Sequence, residues 1–332
     1  MQNIKKLQDS LLLWYEKHGR KDLIWRNFKR DGSQAYEVYV SEIMLQQTQV
    51  SRVLKDFYLP FLARFPNLKE LSIASESDVL KQWQGLGYYS RVRNMQKTAI
   101  ICMQKHGGNL PSSVYELQQL PGIGAYTAGA VACFGFGKSA SFADSNIRRV
   151  LCRLFGLPHP KNREIENLAK MFLNTKSSFD HNQALLDLGA LICTSNPSCI
   201  LCPFFPTQCA AIKTNPRDFD QRKKIIYKEL NIALCIVSLP NGEIGFIRES
   251  GKLYAGLYNL PKLDSLGFIK AQYLGSFKHS YTKYKILANV YTSKLDYKNS
   301  QKLASLGIVF FPSDNLPPIA NLSKKALKLT AL

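Results

Sequence analysis

The sequence lacks several things that would direct its reading elsewhere. No apolar run in its 332 residues reaches the roughly 18 that a membrane-spanning helix needs. Near the N-terminus Lys5 and Lys6 are followed only by the short apolar run 11–14, which is no secretory signal. The expectation is a cytoplasmic protein, nucleoid-associated in a bacterium, with no membrane partner. There is no internal repeat and no low-complexity segment. Acidic residues are few: 24 Asp and Glu stand against 44 Lys and Arg, a net charge of +20. The imbalance is not confined to a tail. Residues 1–228 hold 31 basic against 18 acidic side chains, and residues 229–332 hold 13 against 6. Such a surface suits a polyanion, nucleic acid before acidic lipid, because no basic amphipathic helix stands out. A basic surface without a partner is the plainer alternative.

Residues 115–149, YELQQLPGIGAYTAGAVACFGFGKSASFADSNIRRV, organise what is present. They read as helix, glycine turn, helix, loop, and an aspartate opening a third helix. Gly122 and Gly124 let a partner approach the backbone closely and tolerate positive φ. The next helix starts at once, so its free N–H groups form an anion site suited to phosphate. An ordinary tight turn between packed helices fits these residues equally well. Asp144 precedes the third helix as an N-cap, whose N–H groups should keep it ionised.

Residues 35–64 read as mainly helical, with Glu42 beside Ile43, Met44 and Leu45. A buried carboxyl in that company would have a raised pKa, as a general acid near neutral pH requires. Taken alone, the stretch reads more plainly as a Glu at the rim of an amphipathic helix. Gly85-Leu86-Gly87-Tyr88-Tyr89-Ser90-Arg91-Val92-Arg93 reads either as a base-stacking wedge with phosphate clamps or as a helix cap with Tyr packed inward.

Four of the eight cysteines, Cys193, Cys199, Cys202 and Cys209, fall in one loop spaced C-x5-C-x2-C-x6-C. In a reducing compartment such a group favours metal over disulfides. A single close pair favours a [4Fe–4S] cluster over zinc, which usually takes two close pairs. Cys102, Cys133, Cys152 and Cys235 are scattered and read as packing residues. Residues 213–228 read as a polar linker. Beyond it, two apolar runs flank Asn241-Gly242 as a hairpin, followed by further short strands and two short helices.

Together the hairpin with Asp144, the Glu42 helix and the cysteine loop resemble the helix-hairpin-helix DNA glycosylases that carry an iron–sulfur cluster. Within these, the chain resembles the adenine DNA glycosylases of the MutY type. SEIMLQQTQV at 41–50, GLGYYSR at 85–91, LPGIGAYTAGA at 120–130 and LDLGALIC at 186–193 carry the match over residues 1–212. LYAGLYNLP at 253–261 and FKHSYTKY at 277–284 carry a looser one over residues 229–332. The resemblance implies a mainly α N-terminal helix-hairpin-helix glycosylase fold with a [4Fe–4S] loop, then a small α+β Nudix-like recognition domain. It implies a monomer acting on duplex DNA with an A:8-oxoguanine or A:G mismatch, flipping adenine out and hydrolysing its N-glycosidic bond.

Carried over residue by residue, Glu42 would protonate adenine, Asp144 would stabilise the cationic sugar, and Asn146 would orient Asp144 and water. Tyr126 stands where strand-cutting relatives place a Schiff-base lysine, which implies a monofunctional enzyme. Trp25 and Arg26 would belong to the adenine pocket; Asp187 matches an acidic pocket-side position and reads equally well as a helix-surface charge. Gln47, Leu86 and Tyr88 would meet the duplex, Thr48 the 8-oxoguanine, and Gly122 and Gly124 the DNA backbone.

The sequence departs from the pattern at several positions. The usual cluster spacing is C-x6-C-x2-C-x5-C. Ile24 replaces a proline and Ser145 a glycine. The lesion-reading Phe-Ser-His is Tyr281-Thr282-Lys283; Thr282 keeps a hydroxyl, while Lys283 can only donate and suits phosphate. No Nudix catalytic box is present in 229–332. Open alternatives are a T:G mismatch glycosylase of the same superfamily, a non-catalytic cluster- or zinc-bearing DNA-binding protein, and a basic RNA- or lipid-binding protein.

Overall fold

A computed structural model describes residues 3–219, 226–251, 254–267 and 269–330. Part of the expected linker, 220–225, and Leu253 of the 253–261 motif lie outside the described residues. The chain divides into two compact units, one of Met1–Ser72 with Asn94–Lys223 and the other of Ile73–Arg93 with Lys224–Leu332.

The helices run α1 (Ile4–His18), α2 (Ala35–Leu45), α3 (Val50–Asp56), α4 (Tyr58–Arg64), α5 (Leu68–Ile73), α6 (Glu76–Gln82), α7 (Ser90–Lys105), α8 (Val114–Gln118), α9 (Ala125–Phe136), α10 (Ser145–Phe155), α11 (Asn162–Phe172) and α12 (Ser178–Leu191). Among the described residues none is long and apolar enough to cross a membrane. The expected helical stretch 35–64 is in fact three helices. Its first break, at 46–49, contains neither Pro nor Gly, and Gln47 takes φ +58° there. Gln46 holds the break by donating from Nε2 to Thr127 Oγ1 at 3.2 Å.

Small residues bring the site-bearing helices together. α9 is built largely of Ala and Gly; a Cβ at Gly135 would sit 3.1 Å from Ala35 Cα, so α2 and α9 cross closely. On α10, Ile147, Val150, Leu151 and Leu154 are buried at helical spacing. α10 meets α12 at Gly189, where a Cβ would fall 2.7 Å from Asn146 Cβ.

The second unit contains a six-stranded sheet: β1 (Lys228–Ser238), β2 (Ile244–Arg248), β3 (Tyr258–Asn259), β4 (Gln272–Tyr281), β5 (Tyr284–Lys294) and, after helix α13 (Tyr297–Ala304), β6 (Ile308–Phe311). A last helix, α14 (Asn321–Leu327), follows. The strand order is β3-β2-β1-β5-β4, with β6 also paired to β2. β1 and β2 form the expected antiparallel hairpin, with Gly242 at φ +85° in its turn. β1 pairs in parallel with β5 from Lys228↔Tyr284 to Ser238↔Lys294. Leu234, Ile236 and Val290 pack on one face with Leu322 of α14, and Cys235 and Val237 on the other with Leu303 of α13. Coverage on both faces explains why β1 reads as an unbroken apolar run instead of alternating.

Candidate active site

Two carboxyls converge through the helices just described. Glu42, on α2, is 5% exposed. Its Oε2 accepts from Tyr126 Oη, on α9, at 2.9 Å. Burial pushes Glu42 up to about 7; the Tyr126 hydrogen bond opposes this, and the charge of Asp144 adds to it. The rim position that α2 read alone suggested is therefore wrong. Tyr126 is also raised, by its own burial and then by Glu42 and Asp144, so it stands within electrostatic reach of both acids.

Asp144 caps α10 as expected. Oδ1 accepts from the backbone N–H of Asn146 at 2.9 Å and of Ile147 at 2.8 Å, and Oδ2 accepts from Asn146 Nδ2 at 3.0 Å. Its pKa nonetheless moves against the capping expectation. Burial raises it, and the Ile147 and Asn146 donors with Arg149 lower it less. The two acids thus share a dry site, but Asp144 holds three donors and Glu42 one. When the pair carries a single negative charge, that asymmetry puts it on Asp144. Ser145 opens α10 without positive φ, so the loss of glycine there costs no backbone strain. A cavity of ≈ 410 Å³ lies against Tyr126, Phe142, Asp144, Arg148 and Asn162, within the roughly 300–1,000 Å³ of small-ligand sites.

Asn146 does more than orient Asp144. Its Oδ1 accepts from Arg149 Nη2 at 2.8 Å, and Arg149 donates onward to the carbonyls of Gly189 at 2.7 Å and Cys193 at 2.6 Å. The acid is thereby tied to the first residue of the cysteine loop. Arg149 has no motif signal and was missed in the sequence.

Asp187 is no helix-surface charge: it is fully buried on α12. Oδ2 accepts from the Arg20 backbone N–H and Arg26 Nη1, and Oδ1 from Arg20 Nε and Nη2 and from Arg26 Nη2, all between 2.6 and 2.8 Å. Five donors hold the carboxylate, so it anchors the Trp25-Arg26 turn. Burial alone would raise it, but the two arginines win and lower it. Trp25 is buried edge-on to Tyr58 at 5.2 Å. Arg26 is near enough to lower Glu42, and its buried Nε has no partner among the described residues.

The residues expected to meet DNA divide. Gly122 takes φ +75°, and a Cβ there would strike Asn94. Gly124 is extended at the N-terminus of α9, with open space where its Cβ would be. Gln47 and Tyr88, the expected wedges, take φ +58° and +48°. For side chains of that size such values are strained, and strain of this kind clusters at functional sites. Thr48 lies in the same 46–49 break. Leu86 has a side chain only 5% exposed, packed inside. Arg91, open to either reading, proves to be a cap. It is buried, donates to the Gly87 carbonyl at 3.0 Å and lies 5.3 Å from the Trp83 ring. Tyr281-Thr282-Lys283 forms the tip of the β4–β5 hairpin, with Thr282 at φ +50°.

The four loop cysteines are partly buried and free. Cys202 and Cys209 are raised chiefly by burial, and other thiols of the set add to it, so the four lie within electrostatic reach of one another. Among the described residues no group of three or more His, Cys, Asp and Glu is arranged to hold a metal ion. Arg153, 1% exposed, donates to Cys193 Sγ at 3.3 Å and to the carbonyls of Thr194 and Pro216. Among the described residues it contacts no carboxylate.

Residues 40–174 match the HhH-GPD superfamily of base excision DNA repair proteins. The chain is 36% identical over 300 residues to the adenine DNA glycosylase of Buchnera aphidicola subsp. Baizongia pistaciae, covering 84% of each. It is 39% identical to the mouse and human adenine DNA glycosylases over 60% of its length, spanning 41% and 38% of theirs. Among solved structures, a thermostable thymine-DNA glycosylase aligns with a TM-score of 0.58 and 27% identity, over 63% of this chain and 96% of that one. An endonuclease III trapped as a covalent intermediate on DNA aligns with 0.55 and 20% over 64% and 98%, a likeness of fold. The chain belongs to the adenine DNA glycosylase family, within the HhH-GPD superfamily of base excision DNA repair proteins.

Proposed function

We propose that this protein hydrolyses the N-glycosidic bond of adenine mispaired with 8-oxoguanine or guanine in duplex DNA, without cutting the backbone. The carrying observation is the buried Glu42–Tyr126 hydrogen bond beside the thrice-bonded Asp144. Glu42, protonated in the neutral range, donates to the ring of a flipped adenine, which then leaves as a neutral base. Asp144, which carries the single negative charge of the pair, stabilises the oxocarbenium-like sugar while Asn146 holds its geometry. Tyr126 keeps Glu42 aimed and supplies no amine, so the imine of a strand-cutting enzyme cannot form.

Cys193, Cys199, Cys202 and Cys209 would hold a [4Fe–4S] cluster. Two features support the fit. The four cysteines share one loop, and the thiols of Cys193, Cys199 and Cys209 lie within electrostatic reach of Cys202. The buried Arg153 cation beside Cys193, which contacts no carboxylate among the described residues, would be offset by thiolate-ligated iron. When bound, the cluster supplies a rigid anionic centre for the loop that Arg149 ties to Asn146. The α+β unit reads as a Nudix-like module for recognition. At its tip Thr282 can donate or accept toward the base opposite adenine, and Lys283 suits phosphate.

The test measures base release from A:8-oxoguanine, A:G and T:G duplexes side by side, with and without alkali, at one stated salt concentration. Adenine release with strand breaks only after alkali is expected. Thymine release alone, or breaks without alkali, would overturn the reading. Iron content and absorbance of the purified protein distinguish a cluster from zinc.

A further inference from the structure

Residues Ile73–Arg93 lie within the glycosylase stretch in sequence but belong to the same compact unit as the sheet. Arg93 Nε donates to Glu76 Oε1 at 2.8 Å, and its Nη2 donates to the Ala255 carbonyl. Arg248 Nη2 reaches the other Glu76 oxygen at 3.3 Å. Gln84 Nε2 donates to the Ile319 carbonyl at 2.8 Å. The turn that receives Arg93 contains Gly256 at φ +75°, where a Cβ would run into Arg93 Nη2. This gives a physical role to the glycine of the 253–261 motif: the positive φ favours it, and a side chain there would push the Arg93 guanidinium aside.

The same turn reaches the hairpin tip. Tyr254, at φ +61°, packs at a tilt against Tyr281 with ring centroids 4.5 Å apart and shares a hydrogen bond with His279 Nε2 at 3.3 Å. Tyr281 is raised by burial and then by Tyr88, so the Tyr88 loop and the tip are neighbours. The turn 254–256 thus touches the Tyr88 segment through Arg93 at one end and the Thr282 tip through Tyr281 at the other.

We infer that Arg93, Glu76 and Gly256 are positioning residues: their clasp fixes strained Tyr88 against the Thr282 tip and so sets selectivity for the base opposite the excised adenine. This rests on the proposed reading of that tip. The ion pair is partly exposed, Glu76 by 44%, and contributes little as a charge pair. The clasp acts through geometry, so Gly256→Ala should outweigh Glu76→Gln.

The experiment uses the full chain. Single-turnover adenine release is measured on A:8-oxoguanine and A:G duplexes for the wild type, Gly256→Ala and Arg93→Gln. A fluorescent 2-aminopurine beside the opposite base reports insertion of Tyr88. The wild type should prefer A:8-oxoguanine. Both variants should lower that preference about tenfold, with the A:G rate nearly unchanged and the insertion signal reduced. Arg93→Gln keeps the test open if Gly256→Ala does not fold. A wild type with no preference sinks the lesion reading and the inference with it. A wild-type preference that both variants retain, or a uniform loss on both duplexes with an unchanged insertion signal, sinks the inference alone.

Discussion

At the scale of single residues, the difference between Glu42 and Asp144 is one of donor count. Glu42 has one hydroxyl partner and is pushed up to about 7 by burial; Asp144 has three N–H groups. Base release should therefore decline as pH rises through about 7, where the general acid loses its proton. Because the Tyr126 hydrogen bond lowers Glu42, Tyr126→Phe should move the midpoint of the kcat/KM profile upward. Glu42→Gln should reduce base release roughly 10²–10⁴-fold while mismatch binding persists. The same substitution has a stability signature. The folded pKa of Glu42 lies above its unfolded value of 4.5, so its contribution is intact below 4.5 and is lost as pH rises through about 7. Glu42→Gln should gain on the wild type across that window, levelling off near 3 kcal/mol, about 2.5 pKa units at 1.36 kcal/mol each. Equal denaturant midpoints for the two proteins at pH 8 would refute the burial argument. Asp144→Asn keeps a good capping residue, so its unfolding midpoint should move little while base release is lost.

At the scale of elements, two glycines in one turn should behave oppositely. Gly122→Ala meets positive φ and the Asn94 side chain, and should destabilise the fold by about 1 kcal/mol or more. Gly124→Ala has open space and an extended backbone, so thermal unfolding should barely change. Its methyl group instead stands where the N-terminus of α9 would meet phosphate, and duplex affinity should fall. If Gly124→Ala binds duplex as tightly as the wild type, the phosphate-clamp role of the turn is wrong. Much at this scale was legible in the sequence. An aspartate before an amphipathic run caps a helix, and two apolar runs across Asn-Gly make a hairpin, because both effects are local. The break at 46–49 was not legible, since no Pro or Gly marks it and the Gln46–Thr127 contact that holds it comes from 81 residues away. The burial of Asp187 was not legible for the same reason: its partners Arg20 and Arg26 lie 167 and 161 residues off.

At the scale of the whole molecule, the compact units do not follow the order of the chain. Sequence texture places a boundary in the polar stretch 213–228, yet Ile73–Arg93 packs with Lys224–Leu332. No local pattern could reveal this, because the contacts span up to 235 residues, as in Gln84 to Ile319. Removing the sheet should therefore disturb more than the sheet. A chain truncated before Lys228 would leave Gln84, Arg93 and Glu76 without the Ile319 and Ala255 carbonyls and Arg248. With those partners gone, the amide hydrogens of segment 76–93 should exchange faster in the truncated protein than in the full chain. Helices α10 and α12, whose mutual packing lies wholly in the first unit, should keep their protection. The truncated protein should also lose lesion preference through misplaced Tyr88, and not only through the missing tip. Hydrogen exchange resolved by peptide separates these possibilities. Protection of 76–93 unchanged by truncation would mean that the segment stands without the sheet, and that the sequence boundary describes the folding units better than the contacts do.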